Sequence, residues 1–439
     1  MKDMILTEEM QKVMTIVTES NDNVFVTGKA GSGKTTFLKH LIKNNKKNCI
    51  VAAPTGVAAI NAGGVTLHSL FGIPFGPITP YDRLDCKFST YKHEMLLRLD
   101  TLIIDEISMV RPDIIDTIDR KLRWVCESDE PFGGKQVIMF GDLFQLPPVV
   151  KEEERKILQE YYDDFYFFNA RVWKRVGFHV VELTKIFRQS DEAFINLLNN
   201  IRNYNVTSNE LDILSELKNN GACQRYDNGN IHICTHRKTV DEINMSMLGT
   251  SGIQEYSVMV KDKFPESSMP CDSVLKLRKG ARVMALINDA TKGYYNGMLG
   301  TVVDLDFSTV TVRMDNGNCI KFERHTWSNE QYVLEGDEIK KTEIGSCTQF
   351  PLTLAWAITI HKSQGLTFDH IALHVTRAFC PGQIYVALSR CRTLDGIVLN
   401  GNITRKMVIP DYALTDFERA YKQSDNWFGK KEQDEDYQY

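Results

Sequence analysis

The sequence predicts an α/β protein with two parallel sheets and flanking helices, a small proline-rich insertion in the first sheet unit and a β-rich insertion in the second. Three observations carry this. Over the first half, short apolar runs alternate with helical periodicity, the pattern of parallel strands joined by crossover helices. A phosphate-loop signature links the first of these runs to a helix. Between about residues 253 and 345 the texture changes to short alternating strands, after which the α/β pattern resumes.

The runs "NVFVTG", "NCIVAAP", "TLIIDE" and "KQVIMFGD" read as buried strands. The stretch "HSLFGIPFGPITPYDRL" carries three prolines and excludes regular structure, so it is expected to be a loop or inserted subdomain over about residues 65–90. "KEEERK" is a solvated helix face. A second α/β unit is expected to open at "FHVVELTKIFRQ", continue through "IHICTHRKTVDEIN" and resume at "PLTLAWAITIHKSQGLT". In the β-rich block, Asn316-Gly317 separates alternating Val310, Val312 and Met314 from Ile320 and Phe322, a strong hairpin signal. The segment "KLRKGAR", with Lys276, Arg278, Lys279 and Arg282, offers either a local positive face or a strand edge guarded by charge. The tail "KKEQDEDYQY" is polar and expected to fray.

Composition narrows the function classes. At 439 residues with 43% apolar content the chain can bury several cores. Its formal net charge of −5 argues against an overall basic nucleic-acid glove, although 52 Lys and Arg leave room for local basic grooves. The ten cysteines form no C-x-x-C pair, which speaks against a zinc ribbon or redox motif and for reduced thiols. No secretory leader and no membrane-length apolar run is present, so a cytoplasmic protein with no membrane partner is expected, nucleoid-associated in a bacterium.

The chemistry begins at "GKAGSGKT", residues 28–35, which matches G-x-x-x-x-G-K-[ST] between a strand and a helix. In that context Gly28, Gly31, Ser32 and Gly33 supply a backbone cradle for phosphates, and Thr36 is a further nucleotide-binding candidate. Lys34 reaches the β and γ oxygens, and the Thr35 hydroxyl ligates Mg²⁺. The strand "TLIIDE" ends in two carboxylates: Asp105 suits magnesium held through water, and Glu106 suits polarising an attacking water. In "FGDLFQLPP" a neutral amide, Gln145, follows a buried strand and precedes two prolines. Neighbouring strand ends converge in a parallel sheet, so Gln145 is placed beside the γ-phosphate, where an amide can sense it without titrating.

"GKAGSGKT", "APTGVAA", "TLHSLFG", "IIDEISM", "FGDLFQLPPV", "LTKIFRQ", "TIHKSQGLTF" and "QIYVALSRCRT" stand in the order of the superfamily 1 helicase motifs and closely resemble the Pif1 family, of the 5′-to-3′ subclass 1B. A bacterial member of little more than the helicase core is the match. The resemblance covers about residues 6–396. It implies two RecA-like P-loop domains: domain 1A over 1–180 with a 1B insertion at about 65–90, domain 2A over 181–252 and 346–400, an SH3-like 2B domain over 253–345 and a C-terminal segment over 401–439. It also implies ATP and Mg²⁺ as cofactors and ATP-driven 5′-to-3′ movement on single-stranded DNA. Unwinding of duplex, junction or structured DNA follows, with quadruplexes and RNA–DNA hybrids among the candidates and roles in repair, recombination and telomere-type maintenance; a monomer in solution is expected, while the preferred DNA structure, the oligomeric state on DNA and the protein partners are left open.

By the same resemblance Gln11 reads adenine, and Arg188 and Arg390 reach the γ-phosphate as arginine fingers. Gln364 and Gly365 line the same phosphate. Pro54, Thr55, Thr66, His68, Thr359 and His361 match positions that face the DNA strand. Phe71 and Phe75 are candidates at the duplex junction, with a mini-core as the alternative reading. Pro148, with Pro147, reads as a rigid strut joining the γ-phosphate sensor to the DNA floor, since the aromatic that many opposite-polarity relatives carry there is replaced by Leu146-Pro147-Pro148. Two rivals remain open at this point: a small-molecule P-loop phosphotransferase, and a nucleotide-gated DNA-binding protein that does not unwind.

Overall fold

The computed structural model describes residues 6–84, 88–189, 191–219, 223, 229–289, 291–336, 338–375, 378, 380–424 and 426–428. The polar tail expected to fray lies outside them. Contacts divide the chain into one unit made of Met1–Phe187, Gln331–Thr342 and Asp411–Tyr439, and a second made of Arg188–Glu330 and Glu343–Pro410.

The first unit is built on a parallel sheet. Its strands are β1 (Asn23–Gly28), β2 (Cys49–Ala53), β3 (Val65–Thr66), β4 (Thr101–Ile104), β5 (Gln136–Phe140), β6 (Phe178–Leu183) and the short strand Trp427–Phe428. In space they run 427–428, β6, β1, β5, β4, β2, β3. The continuous apolar runs are explained by helices on both faces: Val24, Phe25 and Val26 of β1 and Leu102, Ile103 and Ile104 of β4 have no exposed surface. Burying such a side chain contributes about 1.5–3 kcal/mol. Helix α1 (Glu8–Glu19) starts at Thr7, whose hydroxyl accepts Met10 N–H, and carries Glu8 and Glu9 in its first turn, where the helix dipole favours them. Helices α2 (Lys34–Asn44), α3 (Gly56–Ala62), α4 (Leu67–Phe71), α5 (Thr90–Leu97) and α6 (Pro112–Val125) follow.

Two expectations are corrected here. The run Phe178–Leu183 does not open the second unit; it pairs in parallel with β1 over its whole length. Its apolar pattern marks a buried strand but not the sheet that receives it. The segment expected to lack regular structure contains α4, because Thr66 caps it by accepting Ser69 N–H and the prolines all lie beyond Phe71.

Two further segments complete the first unit. Helix Tyr412–Lys422 is capped by Asp411, which also accepts the Tyr166 hydroxyl at 2.6 Å. Its Phe417 stacks on Phe168 with centroids 3.9 Å apart. The tip residues 331–342 bring Tyr332, whose hydroxyl accepts the Val51 N–H of β2 at 3.0 Å.

The second unit contains a parallel sheet in the order Ala357–Thr359, Ile231–Cys234, Ile371–His374, Ile397–Leu399. Beside it is a five-stranded antiparallel sheet with Cys319–Phe322, Val310–Met314, Leu299–Leu305, Arg282–Ala285 and Leu352–Leu354. The expected hairpin forms, with Val312 opposite Ile320, Val310 opposite Phe322, and Gly317 at φ 88° in the turn. The fold class therefore stands as two parallel sheets flanked by helices plus an antiparallel β-rich region.

The "KLRKGAR" segment does not form a free positive face. Lys276 pairs with Glu255 at 2.8 Å, Lys279 with Asp304 at 2.7 Å, and Arg282 with Asp315. Arg278 donates to the carbonyls of Leu248 and Met247 at the end of helix Arg237–Leu248. Each cation is engaged locally, by a carboxylate or a helix end. Among the described residues no helix is long and apolar enough to cross a membrane.

Candidate nucleotide site and nucleic-acid interface

In the first unit β1 runs straight into the phosphate loop. Gly31 and Gly33 sit at φ 83° and 84°, where a Cβ would be strained, so the loop needs glycine at these turns. Gly33 is the left-handed cap of α2 and supplies no side-chain cap. The first-turn N–H groups of the helix are thereby left facing outward for an anion. Lys34 donates to the carbonyls of Gly28 at 2.7 Å and Lys29 at 3.2 Å, which holds its ammonium over the loop. Ser32 is fully buried, and its hydroxyl has no hydrogen-bond partner among the described residues. Thr35 and Thr36 are exposed.

Asp105 and Glu106 follow β4, in the same sheet. Asp105 is buried, and burial pushes its carboxyl above the usual carboxylate range; the Glu106 N–H at 2.9 Å and the charges of Lys34 and Lys39 work the other way. Glu106 takes a left-handed conformation, φ 52° and ψ 43°, uncommon for a residue with a side chain. Such strain is typical of functional sites. Thr35 and Asp105 offer only oxygen donors, the set that suits a hard divalent cation such as Mg²⁺.

Gln145 follows β5, the strand between β1 and β4. It is buried, its backbone N–H is held by the Asp142 carbonyl at 3.1 Å, and its side-chain amide reaches the Asp142 carboxylate at 3.3 Å. Gly141 allows the close approach of the two motif-bearing loops: a Cβ there would lie 2.8 Å from Ile107 Cγ2. Lys34, Asp105 and Gln145 thus follow three adjacent strands at the carboxyl end of one parallel sheet, the ligand side of such sheets.

Gln11 is exposed on α1, its amide 3.4 Å from the Leu6 carbonyl. Close to the same loop stands Phe187, 52% exposed, whose N–H donates to Gly31 O at 2.9 Å. A Cβ on Gly33 would come within 3.5 Å of its ring.

The second unit gathers the other nucleotide candidates. Arg188 donates to Ser389 O at 3.2 Å and Gly365 O at 3.5 Å, and burial works against its charge. Arg390 is 1% exposed and donates to Val386 O at 2.8 Å, Ser363 O at 3.3 Å and Ser389 Oγ at 2.7 Å. Gln364 ends the short helix Ile360–Ser363, and Gly365 follows at φ 80°.

The nucleic-acid candidates share a local design. Thr55, Thr66 and Thr359 each cap a short helix, accepting the N–H of Ala58, Ser69 and Lys362 at 3.2, 3.2 and 3.1 Å. Each hydroxyl oxygen is thereby fixed while its own proton can donate to an outside acceptor such as a phosphate oxygen. Pro54 and Pro148 are half-buried. His68 stacks on Phe75, centroids 5.2 Å apart and 19° between planes. Burial, then the nearby Arg111, lower the His68 imidazole below its ordinary 6.5, and burial lowers His361 as well. Phe75 is 89% exposed, but Phe71 has no exposed surface. The junction role expected of Phe71 is therefore corrected to the mini-core reading, since α4 turns Leu67, Leu70 and Phe71 inward.

The PIF1-like helicase family profile matches residues 5–212. The crystal structure of Bacteroides sp Pif1 in complex with ADP-AlF4 is 71% identical, covers 98% of this chain and 100% of that one, and superposes with a TM-score of 0.93. Bacteroides Pif1 bound to ssDNA is 70% identical with the same coverage and a TM-score of 0.72. The ATP-dependent DNA helicase Pif1 of Bdellovibrio bacteriovorus is 33% identical over 405 residues, covering 89% of this chain and 87% of that protein. The chain belongs to the PIF1-like helicase family. It spans 59% to 65% of the length of the related helicases from Mus musculus, Danio rerio and Saccharomyces cerevisiae.

Within this PIF1-like chain, sequence reasoning passed over three residues near the candidate site. Phe187 was hidden because it directly precedes Arg188 in "LTKIFRQ", where the arginine drew the reading. Gln189, buried, donates to Ser389 O at 3.3 Å and Cys391 O at 3.1 Å and so ties the Arg188 segment to the Arg390 segment. Asp142 holds Gln145; the "GD" before the glutamine was the available signal.

Proposed function

We propose that this chain is an ATP- and Mg²⁺-dependent DNA helicase, monomeric in solution, that moves 5′ to 3′ on single-stranded DNA and opens duplex junctions, quadruplexes and RNA–DNA hybrids. The observation that carries the reading is the set Lys34, Asp105–Glu106 and Gln145 at adjacent strand ends of one sheet, beside a glycine-rich helix start. A phosphate cradle alone binds nucleotide. A cradle with a carboxylate pair and a neutral amide can hydrolyse it and register the result.

In this reading Lys34 and the loop N–H groups hold the β and γ phosphates, and Thr35 and Asp105 hold Mg²⁺. The metal supplies charge neutralisation on the phosphate oxygens. Glu106 orients and polarises the attacking water, while Gln145 donates to the γ-phosphate and passes its presence through Pro147 and Pro148. Arg188 and Arg390 stabilise charge developing on the transferred phosphoryl group, with Gln364 and Gly365 lining the same oxygens. Gln11 reads the adenine edge, and the exposed Phe187 ring offers it a stacking face.

Thr55, Thr66 and Thr359, with Pro54, Pro148, His68 and His361, contact sugar and phosphate, and Phe75 meets the bases. Hydroxyls and neutral imidazoles suit a motor that must grip, release and step without reading sequence. That a 70%-identical Bacteroides protein binds ssDNA supports single-stranded DNA as the ligand.

Matched substrates carrying only a 5′ or only a 3′ single-stranded tail test the proposal. Unwinding of the 5′-tailed substrate with ATP and Mg²⁺ is expected. Preference for the 3′ tail would overturn the direction, and ATP turnover indifferent to DNA would favour a phosphotransferase.

A further inference from the structure

Arg111 follows the Glu106 turn in the chain and contacts the segment that carries Phe75. Its side chain is 12% exposed. The guanidinium grips both oxygens of Asp113, Nε to Oδ1 at 3.0 Å and Nη2 to Oδ2 at 2.8 Å, reaches Glu154 Oε2 at 3.1 Å and donates to the carbonyl of Gly76. Asp113, in turn, accepts the N–H of Ile78 at 3.0 Å. The loop just after Phe75 is therefore fastened at Gly76 and at Ile78 by one ion pair. Arg111 is also near enough to His68 to lower its pKa.

The far ends of this cluster lead to the nucleotide side. Arg111 follows Glu106 through the short helix Ile107–Met109. Gly141, on the Gln145 loop, lies close against Ile107. Glu154 sits on helix Glu152–Leu158, which begins soon after Gln145 and its two prolines. Each loop is thus joined by a short stretch of chain to this guanidinium or to a residue that it contacts.

We propose that Arg111 is a positioning residue through which the nucleotide-binding strand ends set the loop bearing Phe75 and its stacked partner His68. The inference rests on reading the site as a DNA-stimulated ATPase. Lysine cannot replace it, because a single ammonium cannot grip Asp113 bidentately while reaching Glu154 and the Gly76 carbonyl.

The test compares wild type with Arg111→Ala, Arg111→Lys and Glu154→Gln in basal and single-strand-stimulated ATPase, together with hydrogen exchange of residues 73–80 with and without ADP–aluminium fluoride, in the absence of DNA. Basal turnover is expected to stay within about 2-fold while stimulation falls about 3- to 30-fold, the usual span of coupling lost along such a network. Arg111→Lys should recover only part of it. In wild type the nucleotide analogue should change exchange over 73–80, and in Glu154→Gln that response should be lost at unchanged thermal stability. Combining Gln145→Ala with Arg111→Ala should cost less than the product of the separate losses, as for two residues in one relay. The inference is overturned if Glu154→Gln keeps the wild-type exchange response, or if basal and stimulated rates fall together in every variant, which marks a purely structural role. Should wild type show the Arg111-dependent exchange response but no stimulation by DNA, the functional reading fails and the relay stands.

Discussion

Removing one oxygen atom tests whether the tip residues 331–342 belong to the first unit. Tyr332 is 8% exposed, and its hydroxyl accepts the Val51 N–H at 3.0 Å in a buried setting. Tyr332→Phe keeps the ring, and with it the Lys341 ammonium 5.5 Å from the centroid, but leaves a buried backbone donor without that acceptor. A buried unsatisfied donor costs about 1–3 kcal/mol, which is roughly a 5- to 150-fold change in a local opening equilibrium. The assay is hydrogen exchange over Cys49–Ala53, with Tyr295→Phe, an exposed tyrosine, as control. Faster exchange in that strand is expected for Tyr332→Phe alone. Because β2 leads into Pro54 and Thr55, single-strand affinity should fall as well. Unchanged exchange at Val51 would refute the reasoning, since it would mean that the hydroxyl does not hold the strand.

Lys34→Ala should abolish ATP turnover and leave single-strand affinity within several-fold, measured by anisotropy; equal loss of both would mean the fold had failed. Phe71→Ala and Phe75→Ala should part company: the first removes a fully buried ring and costs about 3–5 kcal/mol of stability, while the second leaves thermal unfolding alone and lowers unwinding. His68 and His361 are held below 6.5 by burial, so they are neutral at pH 7 and above. The unfolded chain then binds protons more readily than the fold, so their contribution is full above the unfolded pKa and is lost as pH falls through the folded one. On DNA the sign reverses, because phosphate favours the imidazolium. The salt slope of single-strand binding should match at pH 8 and 7 and steepen by about 0.7 per histidine protonated only once the pH falls below 6.5; a slope that already differs between pH 8 and 7 would contradict neutral contacts.

The strand ends that carry the candidate chemistry were legible because local signals coincide there. Glycines at 31 and 33 declare positive φ, a helix start follows, and the continuous apolar runs of β1, β4 and β5 admit only a covered parallel sheet. The Asn316-Gly317 hairpin was legible for the same reason: the turn chemistry and the alternation agree within a few residues. Charge was less informative. Four cations in "KLRKGAR" left a positive face and a charge-guarded strand edge both open, and Glu255, Asp304, Asp315 and a helix end take them up from positions far from the segment in sequence.

What stayed hidden is the assignment of elements to units. An apolar run states that a strand will be buried, and nothing in its period states against what. Phe178–Leu183 reads equally well as the last strand of one sheet or the first of another; pairing with β1 is decided by the β1 edge opposite β5, where Val24, Phe25 and Val26 must be paired on both sides. The residues 331–342 and 411–428 pose the same problem at longer range. Nothing near Tyr332 or Phe417 in the chain names their partners, since Val51 and Phe168 lie hundreds of residues away. Both return to the unit that carries Lys34, Asp105 and Gln145. A deletion that removes the whole block 253–345 would therefore take a piece of the first unit with it, uncovering β2 at the point where it delivers Pro54 and Thr55. The stability of that unit, and not only the reach of the β-rich insertion, is then what such a deletion measures.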